Sequence, residues 1–253
     1  MRVSVITVCF NSAATIRDTI ESVLAQDYKD IEYIIIDGGS TDQTLQIISE
    51  YKNHISKFIT EPDRGIYDAM NKGIRLATGD VIGMLNSDDV YISQTTISEL
   101  MRAMNLSGAD AVYADLIIVD PVRADKVLRY YSSKHFSIAK FRYGWMPAHP
   151  TFFVKKYAYE IAGMFSTDFI IAADFDMLLR LLLVHKITST YYPKCVVKMR
   201  SGGMSTSGIS NSILLNTEIV QSCLSNGVYT NIFLVLLKIP QKVMEIIAAK
   251  IFQ

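Results

Sequence analysis

The chain has 253 residues, with 25 Lys+Arg balanced by 25 Asp+Glu and 50% hydrophobic residues. That composition excludes a disordered chain, and the even charge argues against a nucleic-acid binder, which shows a basic excess. Three cysteines, Cys9, Cys195 and Cys223, without a CxxC, argue against a disulfide framework or a zinc site.

The opening MRVSVITVCFN reads as a strand over Val3 to Cys9, with no basic leader and no cleavage site. Thr15 to Gln26 carries Ile16, Ile20, Val23 and Leu24 at helical spacing. Glu32 to Asp37 is an apolar run closed by a carboxylate, the pattern of a strand covered on both faces. Ser40 or Thr41 is expected to cap a helix to about Tyr51. A third strand over Lys57 to Thr60, a helix over Tyr67 to Leu76, a fourth strand over Val81 to Leu85 and a helix over Thr95 to Asn105 follow. This alternation predicts a doubly wound, mostly parallel twisted sheet that binds its ligand beyond the carboxyl ends of the strands.

Ala111 to Val119 reads as a strand, residues 120–150 as loops and short antiparallel strands, and Thr151 to Val154 as a strand. Asp174 to Val184 is a strongly apolar helix, Ile187 to Met199 one or two strands, and Ser201 to Ser212 a loop. Residues 213–253 are expected to be helical, broken at Asn226-Gly227 and Pro240. The apolar run Ile232 to Leu237 is far shorter than the ~20 residues of a membrane helix, which points to a cytoplasmic protein. Lys238, Lys242 and Lys250 among apolar residues fit either an amphipathic helix at the inner membrane face or packing on the domain.

The acidic residues fall at strand ends: Asp37, Asp63, and Asp88-Asp89 within Asn86-Ser87-Asp88-Asp89. Adjacent carboxylates repel unless a cation or hydrogen-bond donors compensate them, and hard oxygen ligands suit Mg²⁺ or Mn²⁺. Read plainly, Asp88 and Asp89 are also good turn and capping residues. The loop Phe10-Asn11-Ser12-Ala13-Ala14 holds no glycine, which argues against a dinucleotide-dependent dehydrogenase and a P-loop ATPase.

Several blocks together resemble glycosyltransferase family 2, which has the GT-A fold. They are Thr7 to Asn11, Asp37-Gly38-Gly39-Ser40-Thr41-Asp42, Glu61 to Ile74, Leu85-Asn86-Ser87-Asp88-Asp89 and Ala173 to Arg180. The third block and Gly202-Gly203-Met204-Ser205 are most similar to bacterial enzymes of exopolysaccharide and cell-surface glycan assembly. The resemblance implies a GT-A catalytic domain over 1–205, with a nucleotide-sugar half (about 1–120) and an acceptor half (about 121–205), and a helical extension over 206–253. It implies an inverting, metal-dependent transfer from a nucleotide-diphosphate sugar, UDP favoured, to a glycan or lipid-linked acceptor. Thr7, Asn11, Asp37, Asp63, Arg64, Asn71, Asn86 and Asp88 would bind the nucleotide. Asp88 and Asp89 would hold Mn²⁺ or Mg²⁺, and Asp174 would be the general base. His149, Trp145 and Arg180 would neighbour the acceptor or diphosphate.

Two positions depart from the family pattern. Asn86 replaces the first Asp of the Asp-x-Asp block, so metal binding leans on Asp88. Gly38 replaces the second Asp of the early block. A sugar-nucleotide nucleotidyltransferase would open with a Gly-rich, Arg/Lys-containing signature, which this chain lacks. A catalytically silent nucleotide-sugar binder is favoured only by Asn86.

Overall fold

The protein is described by a computed structural model over residues 1–203, 208–240, 243, 245 and 246. Its centre is β1 (Val3–Cys9), buried at every residue. β2 (Ile31–Asp37) and β3 (Lys57–Thr60) lie on one side of β1 and β4 (Val81–Met84) on the other, all parallel. The crossovers are made by α1 (Ile16–Leu24), α2 (Thr44–Glu50) and α3 (Ile66–Leu76). The winding reverses between β1 and β4, which is the switch point where such sheets bind ligands.

Beyond β4 the sheet is mixed. After β5 (Asp89–Tyr91) and α4 (Thr96–Ser107) comes the long β6 (Ala111–Val119), with β7 (Val127–Tyr131) antiparallel beside it. β8 (Phe153–Lys155) joins β4 to β6, antiparallel to both. α5 (Tyr157–Ala162) and α6 (Ala173–Leu179) precede β9 (Ser189–Arg200), which lies parallel to β6 and antiparallel to β5.

Period-two alternation along β1 feeds two apolar layers. Ile6 and Val8 face Met70 and Ile74 of α3 and Phe175 of α6. Val3, Val5 and Cys9 face Ile16 and Ile20 of α1 and Leu100 of α4. Gly73 lets α3 approach the sheet closely, since a Cβ there would sit 2.4 Å from Ile6 Cγ2.

The strands expected over Val3 to Cys9, Lys57 to Thr60 and Ala111 to Val119 have those bounds. Four local expectations need correction. The helix after β2 begins at Thr44, because Ser40 bonds to Asp37 and Asn11 while the Asp42 carboxylate takes the Thr44 amide at 2.9 Å. β5 is an added strand, paired by β9. The helix expected to Val184 is α-helical only to Leu179 and continues as a π turn over Arg180–Val184. Residues 208–212, expected as loop, open α7 (Gly208–Ser225), which is followed by α8 (Ile232–Leu236). Ile219, Cys223 and Val235 of these helices join the same apolar layer as α3 and α6. Met204, Ser205, Lys242 and Lys250 lie outside the described residues.

Candidate active site

The loops after β1, β2 and β4 meet at the switch point. Asn11 has φ +48, a left-handed conformation that Asn tolerates. Its amide donates to Ser40 Oγ at 2.8 Å and its Oδ1 accepts from Thr41 N at 2.9 Å. Ser12 Oγ meets Ser87 Oγ at 2.8 Å, tying the first loop to the fourth. Asp37 is fully buried and organises the second loop. Its Oδ2 accepts from Gly39 N (3.0 Å), Ser40 N (2.9 Å) and Thr60 Oγ1 (2.7 Å), and its Oδ1 from Ser40 Oγ (2.5 Å). Burial pushes the Asp37 carboxyl up, but these donors together hold it below the usual range.

Asp63 stands beside Asp37's loop, where Gly38 leaves room for it. A Cβ on residue 38 would lie 2.4 Å from Asp63 Oδ2. The space that a side chain at position 38 would enter is therefore taken by the Asp63 carboxylate. Arg64 is exposed, and its guanidinium pairs loosely with Asp68 at 3.7 Å. Thr7 is fully buried and accepts from Tyr33 Oη at 3.2 Å. Asn71 does not enter the cleft: its side chain is buried and spent on the Phe165 backbone, donating to O and accepting from N, both at 2.9 Å. Arg180 is likewise spent on structure, donating to Asp176 Oδ2 at 2.8 Å and to the carbonyls of Ala162 and Met164.

Asp88 is half-buried and Asp89 wholly buried. Among the described residues the Asp89 carboxylate meets no side-chain donor, and the Arg200 backbone amide is the donor that faces it. Burial raises both carboxyls, and the Asp88 charge raises Asp89 further; Arg200 opposes the rise in both. Among the described residues no three His, Cys, Asp or Glu side chains gather. Mg²⁺ and Mn²⁺ sites in phosphate chemistry commonly use one or two carboxylates, completed by substrate oxygens. The half-buried Asp88, with the buried and side-chain-unpaired Asp89 next to it after β4, fits that donor set.

A cavity of about 270 Å³ lies between β6, α6 and the C-terminal helices. It brings together Asn86, Trp145, His149 and Asp174 from distant parts of the sequence. Asp174 sits half-buried in the first turn of α6. Desolvation lifts its carboxyl to about 6, against the Phe175 amide, which donates to Oδ1 at 2.7 Å. Burial lowers His149 to about 4, so the imidazole is neutral at pH 7. Arg129 and Tyr131, which the sequence did not single out, also line the cavity, as does Lys238, expected only at a membrane face or packed on the domain. Arg129 pairs with Glu245 at 2.6 Å and stacks over the Tyr131 ring at 4.9 Å. Nothing local marks them: they belong to a strand and a helix end that only the fold brings to Asp174.

An α/β enzyme with its ligand site at the sheet's switch point is the class that this fold and its loop-borne carboxylates define. The family model described as "Glycosyl transferase family 2" matches residues 4–167. The chain belongs to glycosyl transferase family 2 and is a glycosyltransferase. It is 35% identical over 185 residues to an uncharacterized glycosyltransferase of Mycobacterium tuberculosis, covering 72% of this chain and 69% of that one. It is 25% identical over 215 residues to a PGL/p-HBAD biosynthesis glycosyltransferase of Mycobacterium bovis, covering 83% and 80%. The fold is similar to S. aureus TarS 1-349 in complex with UDP-GlcNAc (TM-score 0.70, 18% identity, 88% of this chain and 67% of that one). It is also similar to the mannosyltransferase PcManGT of Pyrobaculum calidifontis in complex with GDP-Man and Mn²⁺ (TM-score 0.68, 19% identity, 98% and 73%). The chain spans 40% of the longer TarS chain. Both structural likenesses establish a GT-A type of fold. Among the described residues no helix is long and apolar enough to cross a membrane.

Proposed function

We propose that the protein is an inverting, metal-dependent glycosyltransferase that moves a sugar from a nucleotide-diphosphate donor to a hydroxyl of a glycan or lipid-linked acceptor. The observation that carries this reading is the cavity joining Asn86, at the end of β4, to the raised carboxylate of Asp174. Asp174 takes the proton of the acceptor hydroxyl as its oxygen bonds to C1 of the sugar. The bond from C1 to the diphosphate oxygen breaks on the opposite face, and its electron pair leaves with the nucleotide. Direct displacement from the opposite face inverts the anomeric centre. Asp88 and Asp89 would hold Mn²⁺ or Mg²⁺, which would supply positive charge to offset that developing on the leaving diphosphate. Asn11, Asp37, Asp63 and the buried Thr7 form or support the base and ribose site, and Arg64 is free to reach the diphosphate. The neutral His149 and Trp145 line the acceptor side.

TarS binds UDP-GlcNAc and PcManGT binds GDP-Man, which supports the donor class; uridine is favoured. A poly-β-1,6-N-acetyl-D-glucosamine synthase of Staphylococcus epidermidis, 41% identical over 90 residues, and the mycobacterial relatives support a role in bacterial surface glycan synthesis. A catalytic unit over 1–205 with an extension over 206–253, working in the cytoplasm or at the inner membrane face, completes the reading. Exposed Phe233, Leu237 and Ile239 beside Lys238 are the residues that would touch such a membrane. The test is release of UDP from UDP-N-acetylglucosamine with Mn²⁺ by wild type and Asp174→Asn. Loss of a general base should cost about 10²–10⁴ in rate; equal rates would remove Asp174 from the mechanism.

A further inference from the structure

Just before α6, the chain from Ile170 to Ala172 turns into the helix that carries Asp174. No side chain of its own caps this helix start. Glu218, the sole acidic residue of α7 and 5% exposed, instead holds the segment that leads into it. Its Oε1 accepts from Ile170 N at 2.8 Å, and its Oε2 accepts from Ile171 N at 2.9 Å and Ala172 N at 2.8 Å. The Ile171 carbonyl accepts from Tyr67 Oη at 2.5 Å, so this peptide strand is gripped from both sides. One turn further along the same stripe of α7 Ser222 Oγ (2.9 Å), and just past the helix end Asn226 Nδ2 (3.1 Å), donate to Asp176 Oδ1. Asp176 Oδ2 in turn holds Arg180 at 2.8 Å. On the neighbouring stripe, Leu215 and Ile219 line the cavity that contains Asp174.

We propose that Glu218 is a positioning residue for the transfer: α7, outside the segment matched by the family model, fixes the Asp174 turn through three backbone amides. The proposal rests on the reading of Asp174 as the base. A carboxyl that accepts from three amides removes the freedom of the turn, and a displacement of about 1 Å in such a group costs up to about 100-fold in rate. The charged and titratable groups around Asp174 are Tyr67 on α3, Tyr131 on β7 and Glu218 on α7, with Arg129, His149 and Lys238 around the cavity. Glu218 also pushes Asp174 upward by its charge.

The test compares wild type, Glu218→Gln and Glu218→Asp. Gln keeps the length, removes the charge and turns a donor toward an amide; Asp keeps the charge but is one methylene short. Hydrogen exchange at Ile170 to Ala172 should accelerate at least tenfold in both variants. The Asp174 carboxyl-carbon titration, assigned with Asp174→Asn, should move to lower pH in Glu218→Gln and stay nearer wild type in Glu218→Asp. UDP release from UDP-N-acetylglucosamine with Mn²⁺ should lose kcat more than it changes KM. Unchanged exchange and an unchanged Asp174 midpoint in both variants would overturn the proposal. So would an inactive Asp174→Asn beside a fully active Glu218→Gln. An active Asp174→Asn would instead sink the base itself, whatever Glu218 does. If Glu218→Gln fails to fold, Glu218→Asp carries the exchange and kcat arms.

Discussion

Replacing Asp174 with Asn should make the protein more stable at pH 8 while removing its activity. Desolvation on the cavity wall lifts the Asp174 carboxyl from 3.8 to about 6. A shift of roughly two units corresponds to about 3 kcal/mol at 1.36 kcal/mol per unit. The sign follows from proton counting. Between pH 4 and 6 the folded state binds more protons at this site than the unfolded state, so stability falls as pH rises. Above pH 6 the full cost of holding the buried charge is present; below pH 4 it is absent. Asn keeps an oxygen for the Phe175 amide and carries no charge, so it escapes that cost. About 3 kcal/mol is an upper bound, because Asp174 is half-buried and water screens part of the effect. At about 2–4 °C per kcal/mol for a chain of this size, the variant should gain up to roughly 10 °C at pH 8 relative to pH 4. Thermal or urea unfolding of both proteins at the two pH values measures this. An equal difference at pH 4 and pH 8 would refute the reasoning.

Other perturbations test other parts of the site. Gly38→Ala places a Cβ 2.4 Å from Asp63 Oδ2. The carboxylate can swing aside, so Tm should change little, but titrated UDP affinity should fall if Asp63 reads the base. Asn71→Ala should cost about 2–4 kcal/mol in urea unfolding, because it strands the Phe165 N–H and carbonyl. Glu32 is 1% exposed; burial raises its carboxyl, but Ser4, Thr78 and Lys57 outweigh that and hold it at about 2. Its contribution, on the order of 3 kcal/mol, is present above pH 5 and lost as pH falls toward 2. Glu32→Gln should therefore flatten the acid limb of the stability curve, and an unchanged limb would exclude Glu32 as its source.

The parallel half of the fold was legible because its strands are continuous apolar runs and its helices keep strict spacing. Val3 to Cys9 and Lys57 to Thr60 needed no tertiary information. Strand ends therefore located Asp37, Asp63 and Asn86 to Asp89 correctly at one edge of the sheet. β5 escaped notice because a three-residue strand is made by its partner β9, not by its own sequence. The start of α7 escaped for a related reason: Ser-Gly-rich residues read as loop. Side-chain destinations were the least legible. Asn71 and Arg180 sit in blocks typical of the family, yet their polar atoms go to backbone groups about 94 and 16–18 positions away. Glu218 is a lone acid in an apolar helix, which is a signal, but its three amide partners lie 46 to 48 residues earlier.

The most direct measurement is a thermal-shift panel of UDP, GDP and dTDP, each with Mn²⁺, Mg²⁺ or EDTA, on wild type and Asp88→Ala. A nucleotide at 100 times its Kd stabilises the folded state by about 2.7 kcal/mol. A metal-dependent shift with one nucleotide, UDP expected, that disappears in Asp88→Ala is the result predicted here. No metal-dependent shift with any of the three, or one that survives in Asp88→Ala, would contradict a metal-assisted nucleotide-sugar site at the end of β4.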